Sequence, residues 1–236
     1  MTKVVAIHQP TFFPWLGFFD KLARADAFLI LDNVQFPKTG GTWLNRVKLL
    51  ISGHAAWATM PVVRDYHGVR LVSEMEIDDA RPWRKKLEQS VRVSYARAPF
   101  FDEAFPLFQR LLHHETKLVA AFNLETIRVL SELLGIATSK LVLGSQLAAS
   151  GAANELLISM VQAVGGTAYL SGGGSAGYLD ERAFAAAGLG LVLQSYAHPV
   201  YPQKNVEAFV PGLSILDALM SCGVEGTRRL LQAVPR

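Results

Sequence analysis

Two short apolar runs, VVAI at residues 4–7 and AFLIL at residues 27–31, bracket a segment in which Leu16, Phe19, Leu22 and Ala23 recur at helical spacing. Strand, helix and strand in so short a span form a βαβ unit, which requires a parallel sheet covered by helices. Runs this continuous suit strands buried on both faces. The connection between the first strand and the helix is unusual. IHQPTFFPWLG places a histidine, two prolines and three aromatic rings where the fold needs only a turn.

The pattern continues beyond this unit. Residues 43–51 and 57–63 read as strands of a hairpin around Ser52-Gly53, and residues 71–77 as a further strand. Helical periodicity covers 82–95, 99–115 and 118–134, the last closed by Gly135. A short strand at 140–143 leads to a helix at 154–164 and a strand at 168–170. A helix at 181–187, a strand at 189–195 and a final helix from Ser214 complete the chain. The expected class is α/β, a mostly parallel sheet with flanking helices in the Rossmann manner. Segments 1–80 and 138–236 would form the α/β core, with 81–137 as a helical insertion packed on it.

With 236 residues, 50% hydrophobic and 18% charged, the chain can bury a sizeable core and has a globular composition. A formal charge of +3 fits anionic small molecules. No dense Lys/Arg run accompanies it, so nucleic-acid binding is not the expected main role. The single cysteine, Cys222, excludes an internal disulfide and a cysteine-rich metal site, and reads as a partly buried structural thiol. His113-His114 lack a third ligand at useful spacing, so no metal site is expected. MTKVVAIHQP lacks the apolar core of a signal peptide, and no apolar run approaches the roughly 20 residues of a membrane helix. A cytoplasmic protein without membrane insertion is expected.

In an open parallel sheet, ligands bind beyond the carboxyl ends of the strands. Three loops of this chain fit that position. The first carries His8 and Gln9, with Trp15 and Lys21 following. His8 reads either as a ligand-facing imidazole beside a helix start or as a strand-end side chain bonded to backbone. Phe12, Phe13 and Trp15 read more readily as wall and core.

The second loop gathers Asp32, Asn33, Gln35 and Lys38, then Trp43, Asn45 and Arg46. A strand-end carboxylate can orient an amine, and Arg46 can clamp a phosphate or carboxylate. Asp32 and Asn33 can equally end the strand and cap a turn.

The third loop, SGGGSAGYLD, offers Ser171, Gly172, Gly173, Gly174 and Tyr178. Its amides can wrap a phosphate or oxyanion, although it matches neither GxxxxGK[ST] nor GxGxxG. Asp180 is placed to cap the next helix. Tyr201 and Gln203, after His198-Pro199, lie in a proline-fixed loop that can close a pocket.

IHQPTFFPWLGFFDKLARADAFLILDNVQF, WLNRVKL, YLSGGGSAGYLD and LSILDALMSCG resemble the WbqC-like family of bacterial proteins, over nearly the whole chain. Residues 37–42 make a longer linker before Trp43 than the family pattern has, which leaves the placement of Lys38 open. The resemblance implies association with O-antigen (surface-polysaccharide) gene clusters and a role in acyl or aminoacyl decoration of amino sugars. A fainter likeness is to the HUP nucleotidyl-binding architecture shared by pantothenate synthetase and class I aminoacyl-tRNA synthetases. The chain lacks their HxGH pair and KMSKS-like lysine loop, so that likeness bears on fold rather than chemistry.

The reading that follows is a transferase forming an amide between an acyl or aminoacyl group and an amine, such as that of a nucleotide-linked amino sugar. His8 would be the general base, Asp32 would orient the amine, and the glycine loop would meet the oxyanion. Lys38 and Arg46 would hold phosphate. The donor could be acyl-CoA, an acyl carrier protein or an aminoacyl-tRNA. One alternative is an adenylate-forming ligase using ATP and magnesium. Another is a non-catalytic protein binding a sugar nucleotide or a carrier-bound acyl group.

Overall fold

The computed structural model describes residues 1–173 and 179–234. Five strands form one parallel sheet: β1 (Val4–His8), β2 (Ala27–Ile30), β5 (Leu141–Leu143), β6 (Ala168–Ser171) and β7 (Gly190–Leu193). Their spatial order is β5-β2-β1-β6-β7. The chain therefore steps outward from β1 on one side, then returns to start again on the other. This is a doubly wound sheet, with its topological switch point between β1 and β6. β3 (Arg46–Ile51) and β4 (His54–Thr59) form a separate antiparallel hairpin. Its turn uses Ser52 at φ 52° and Gly53 at φ 80°, the left-handed pair that a two-residue hairpin demands.

Seven α-helices occur among the described residues: α1 (Leu16–Arg24), α2 (Trp83–Tyr95), α3 (Phe101–Leu112), α4 (Val119–Leu133), α5 (Asn154–Ala163), α6 (Glu181–Ala186) and α7 (Ile215–Gln232). Side chains alternate across the sheet, so each face receives its own core. Val5, Ile7, Leu29 and Tyr169 meet α5 and α6 through Met160, Val161 and Phe184. Ala6, Phe28, Ile30 and Leu170 belong to the larger cluster on the other face. That cluster also holds α1, the hairpin, α2, α3, α4 and α7 through residues such as Phe19, Leu49, Val91, Phe108, Phe122 and Leu219. The helix starts are well marked where polar caps exist. The Asp180 carboxylate accepts from the amides of Arg182 and Ala183, and the Ser214 hydroxyl accepts from Leu216. Helix α7 is broken at Gly223, whose φ of 68° only glycine adopts readily.

The parallel α/β expectation holds. The strand expected at residues 71–77 is replaced by a 3-10 turn at Val72–Glu74. There the Glu74 carboxylate accepts from the Leu71 amide while the Glu74 amide donates to the Leu71 carbonyl. Instead of joining a sheet, this segment makes isolated bridges, Gln35 to Leu71, Val62 to Ile77 and Glu76 to Leu118, and single backbone bonds such as that from the Ser73 amide to the Asp32 carbonyl. No helix among the described residues is long and apolar enough to cross a membrane.

Candidate functional site

The residues after β1 form an ordered loop that neighbouring elements hold by its carbonyls. Asn123 of α4, fully buried, donates to the carbonyls of both Pro10 (2.8 Å) and Leu44 (2.7 Å). The Phe12 amide donates to the Trp43 carbonyl at 2.8 Å. Phe13 sits at φ 40°, and its carbonyl accepts from the Ser214 hydroxyl at the start of α7. A bulky residue in the left-handed region persists only where its surroundings fix it. This loop is thus a rigid support immediately after His8.

At the carboxyl edge of β1 and β6 lies a cavity of about 470 Å³. Ile7, His8, Gln9, Lys21, Leu31, Val34, Ala153, Leu156, Leu157, Tyr169 and Gly172 line it. This is the switch point of the sheet, where ligands of such folds bind. Most of the wall is apolar. The lining residues with polar side chains are His8, Gln9, Lys21 and Tyr169.

His8 Nδ1 lies 2.8 Å from the Gln9 carbonyl. A carbonyl only accepts, so Nδ1 carries the proton and Nε2 is the lone-pair nitrogen of the neutral ring. Burial, and then the nearby charge of Lys21, lower the His8 pKa to about 4, against a partial opposing effect of the Gln9 bond. The Phe18 ring meets the imidazole edge-on at 5.0 Å and holds its orientation.

Lys21 is only 4% exposed. Its Nζ donates to the Ile7 carbonyl at 2.9 Å and lies 5.8 Å from the centroid of the Tyr169 ring. Among the described residues no carboxylate pairs with it. Desolvation lowers its pKa to about 8, so it remains charged at neutral pH. With one hydrogen-bond acceptor and no carboxylate beside it among the described residues, this buried ammonium favours an anion in the cavity. Helix α5 also begins at this cavity, through Ala153, Leu156 and Leu157, and its amino end adds positive potential.

The other candidates disperse. Asp32 is buried at the end of β2, where its two oxygens accept from the Ser145 amide (2.8 Å) and hydroxyl (2.7 Å). It joins the edges of β2 and β5 and is not among the residues lining the cavity. Asn33 donates to the Gly144 carbonyl in the same junction. Gln35 and Lys38 are exposed. The Trp15 ring lies against Gly17 and Tyr196, where any larger residue at 17 would collide with it. Asn45 closes a turn, accepting from Thr42 and donating to the Met60 carbonyl. Arg46 opens strand β3 of the hairpin and Trp43 lies in the turn just before it, its ring against Trp57, both outside the cavity lining.

Tyr201 and Gln203 serve a different group. Both donate to Asp217 of α7, at 2.8 and 3.1 Å, and Tyr95 donates to its other oxygen at 2.8 Å. Ser171 is fully buried at the end of β6, Gly172 lines the cavity and Gly173 is exposed. Gly174 and Tyr178 lie outside the described residues. His113 pairs with Glu88 at 2.8 Å. Among the described residues no three His, Cys, Asp or Glu side chains are grouped to hold a metal ion.

Sequence reasoning overlooked Tyr169 and the α5 wall, Asn123, and Asp217. One signal for α5 was available: a helix that follows a parallel strand must start at the strands' carboxyl edge.

The chain matches the model of the WbqC-like protein family over residues 9–229, a range that opens just after His8. A Mycobacterium tuberculosis protein described as uncharacterized protein Rv1507c is 29% identical over 227 residues, covering 94% of this chain and 95% of that one. No solved structure matches the chain. A family model spanning this much of the sequence, together with a relative aligned from end to end, makes the chain a member of the WbqC-like family.

Proposed function

We propose that the cavity is the active site of a transferase that joins an activated acyl or aminoacyl group to an amine. The carrying observation is the buried, uncompensated Lys21 beside a neutral His8 at the switch point of the sheet. Lys21 and the amino end of α5 hold an anionic group of the donor or acceptor. The amine nitrogen bonds to the acyl carbon, the bond to the donor's leaving group breaks, and the surplus ammonium proton passes to His8 Nε2.

With its pKa near 4, the imidazole cannot strip a free ammonium. It can accept a proton from the far more acidic nitrogen of the tetrahedral adduct. An anion against Lys21 also cancels one of the two causes of the depression, so ligand binding raises His8 toward its working range. Gln9, which lines the cavity, takes over the amine-orienting role considered for Asp32. The choice of an amino sugar as acceptor rests on the family resemblance alone.

The test is a donor panel of acyl-CoA, acyl carrier protein, aminoacyl-tRNA, and ATP with a free acid, read for amide product by mass spectrometry. His8→Ala should lower turnover by about 100-fold or more with little change in ligand affinity. Unchanged turnover in the folded variant removes His8 from the mechanism. Magnesium-dependent pyrophosphate release would identify an adenylate-forming ligase, and tight binding without turnover would identify a carrier.

A further inference from the structure

The outer face of the β3–β4 hairpin carries a cluster that the cavity does not use. Trp43 is 43% exposed and Trp57 42%, and their rings meet edge to face at 5.2 Å. The Arg46 guanidinium lies 4.2 Å from the Trp57 ring centroid, and Lys48 Nζ lies 5.2 Å from it. Lys48 is directly opposite Trp57 in the ladder, which places these groups on one face. Neither cation pairs with a carboxylate among the described residues, and Arg46 Nε is buried with no hydrogen-bond partner.

Arg46 is also held in place. A Cβ at Gly41 would stand 2.5 Å from Arg46 Cδ, so the bare glycine lets the loop press the side chain flat against the indole. Strand β3 ends at Ile51, which alternates to the face opposite Lys48 and, with the turn residue Ser52, lines a separate groove of about 690 Å³ against α2. Lys85 and Lys86 lie in that groove, and no acidic residue lines it. In a chain of formal charge +3, the hairpin face itself sets two cations, Arg46 and Lys48, against two exposed rings.

We propose that this hairpin face docks single-stranded nucleic acid. Bases stack on Trp43 and Trp57, while Arg46 and Lys48 meet the phosphates. Exposed rings beside cations that have no carboxylate partner among the described residues are what a single strand requires, and base faces stack on such rings whatever their sequence. A lipid surface is the weaker fit, because these indoles pack on each other and under a guanidinium instead of projecting together. The inference is independent of the proposed acyl transfer. Joined to it, the hairpin would favour RNA as the carrier of the activated group. The Trp43 carbonyl binds the Phe12 amide, and Phe12 is separated from His8 by about 14 Å of chain at most.

The test is fluorescence anisotropy of a short labelled single-stranded RNA titrated with the full chain at low and moderate salt. Binding should weaken steeply with salt. Trp57→Ala, and Arg46→Gln with Lys48→Gln, should each weaken it about tenfold, and the double variant should flatten the log–log salt slope by about 1.4. Circular dichroism confirms folding, and Lys48→Gln alone supplies a milder variant should the others fail to fold. Absence of binding at low salt, equal affinity in the folded variants, or binding to phosphatidylserine vesicles but not to RNA would each overturn the proposal. Because the readout is binding, loss of acyl transfer in the cavity does not affect it.

Discussion

Lys21 donates its hydrogen bond to the carbonyl of Ile7, the residue just before His8, which puts a buried positive charge directly behind the imidazole. The two groups therefore titrate as neighbours. Lys21→Met removes the charge and keeps most of the volume. It should raise the His8 pKa above its value of about 4 but leave it below 6.5, because burial is the larger cause. Proton NMR of the ring hydrogens across acid pH reads this directly. The same variant should bind inorganic phosphate or a nucleotide about tenfold or more weakly, while unfolding at higher temperature because an unpaired buried charge is gone. An unmoved His8 titration would show that Lys21 does not act on the ring.

His8 also links stability to pH. In the unfolded chain it titrates at 6.5, and in the folded chain at about 4. Between these values the unfolded state binds more protons, so stability falls as the pH drops through this window and is fully present above 6.5. The contribution is on the order of 3 kcal/mol. Urea melts of wild type and His8→Asn, compared from neutral to acid pH, isolate it from the carboxylates that titrate in both. The wild-type curve should fall more steeply, and parallel curves would refute the assignment.

The parts of this molecule that sequence made legible are those decided by local chemistry. β2 is fully apolar, and β1 is apolar up to His8, because helices cover both faces, and Asp180 caps α6 because its neighbours leave amides unfilled. The location of the cavity followed from the same logic, since His8 ends a parallel strand. What stayed hidden depends on side chains meeting over long chain separations. Lys21 is legible as a candidate beside the first loop, whereas its burial is not, since a helix lysine normally marks the wet face and only the tertiary fold buries it. Tyr95 and Asp217 are 122 residues apart, so no spacing rule pairs them. Asp32 was read as chemistry because its partner, Ser145, is likewise distant in the chain.

Asn123 fixes the loop that follows His8. Its side-chain amide nitrogen satisfies two buried carbonyls, those of Pro10 and Leu44. Asn123→Asp keeps the shape but removes both donors and points a carboxylate at two carbonyl oxygens. Loss of about 2–4 kcal/mol is expected, the upper part of the range for breaking buried hydrogen bonds. Asn123→Ala should cost about 2–3 kcal/mol. Hydrogen exchange should quicken first at the Phe12 amide, whose partner is the Trp43 carbonyl. Stability losses without faster exchange there would place the defect elsewhere.

The Asp217 carboxylate is fully buried, and its hydrogen bonds come from Tyr95, Tyr201 and Gln203 without a cation among its bonded partners. Burial raises its pKa, while the donated hydrogen bonds oppose that rise. Tyr95→Phe keeps the ring but removes one donor, and it also strands the Leu50 amide that donates to the Tyr95 oxygen. The folded pKa of Asp217 should therefore climb further. Above the unfolded value the folded state then binds more protons, so the loss of stability grows as pH rises through the shifted pKa. The variant should be less stable by about 2–4 kcal/mol near neutral pH and by less in acid, as the carboxyl becomes protonated in both proteins. Denaturant midpoints at both pH values provide the measurement. A penalty that is constant with pH would mean the carboxylate does not feel Tyr95.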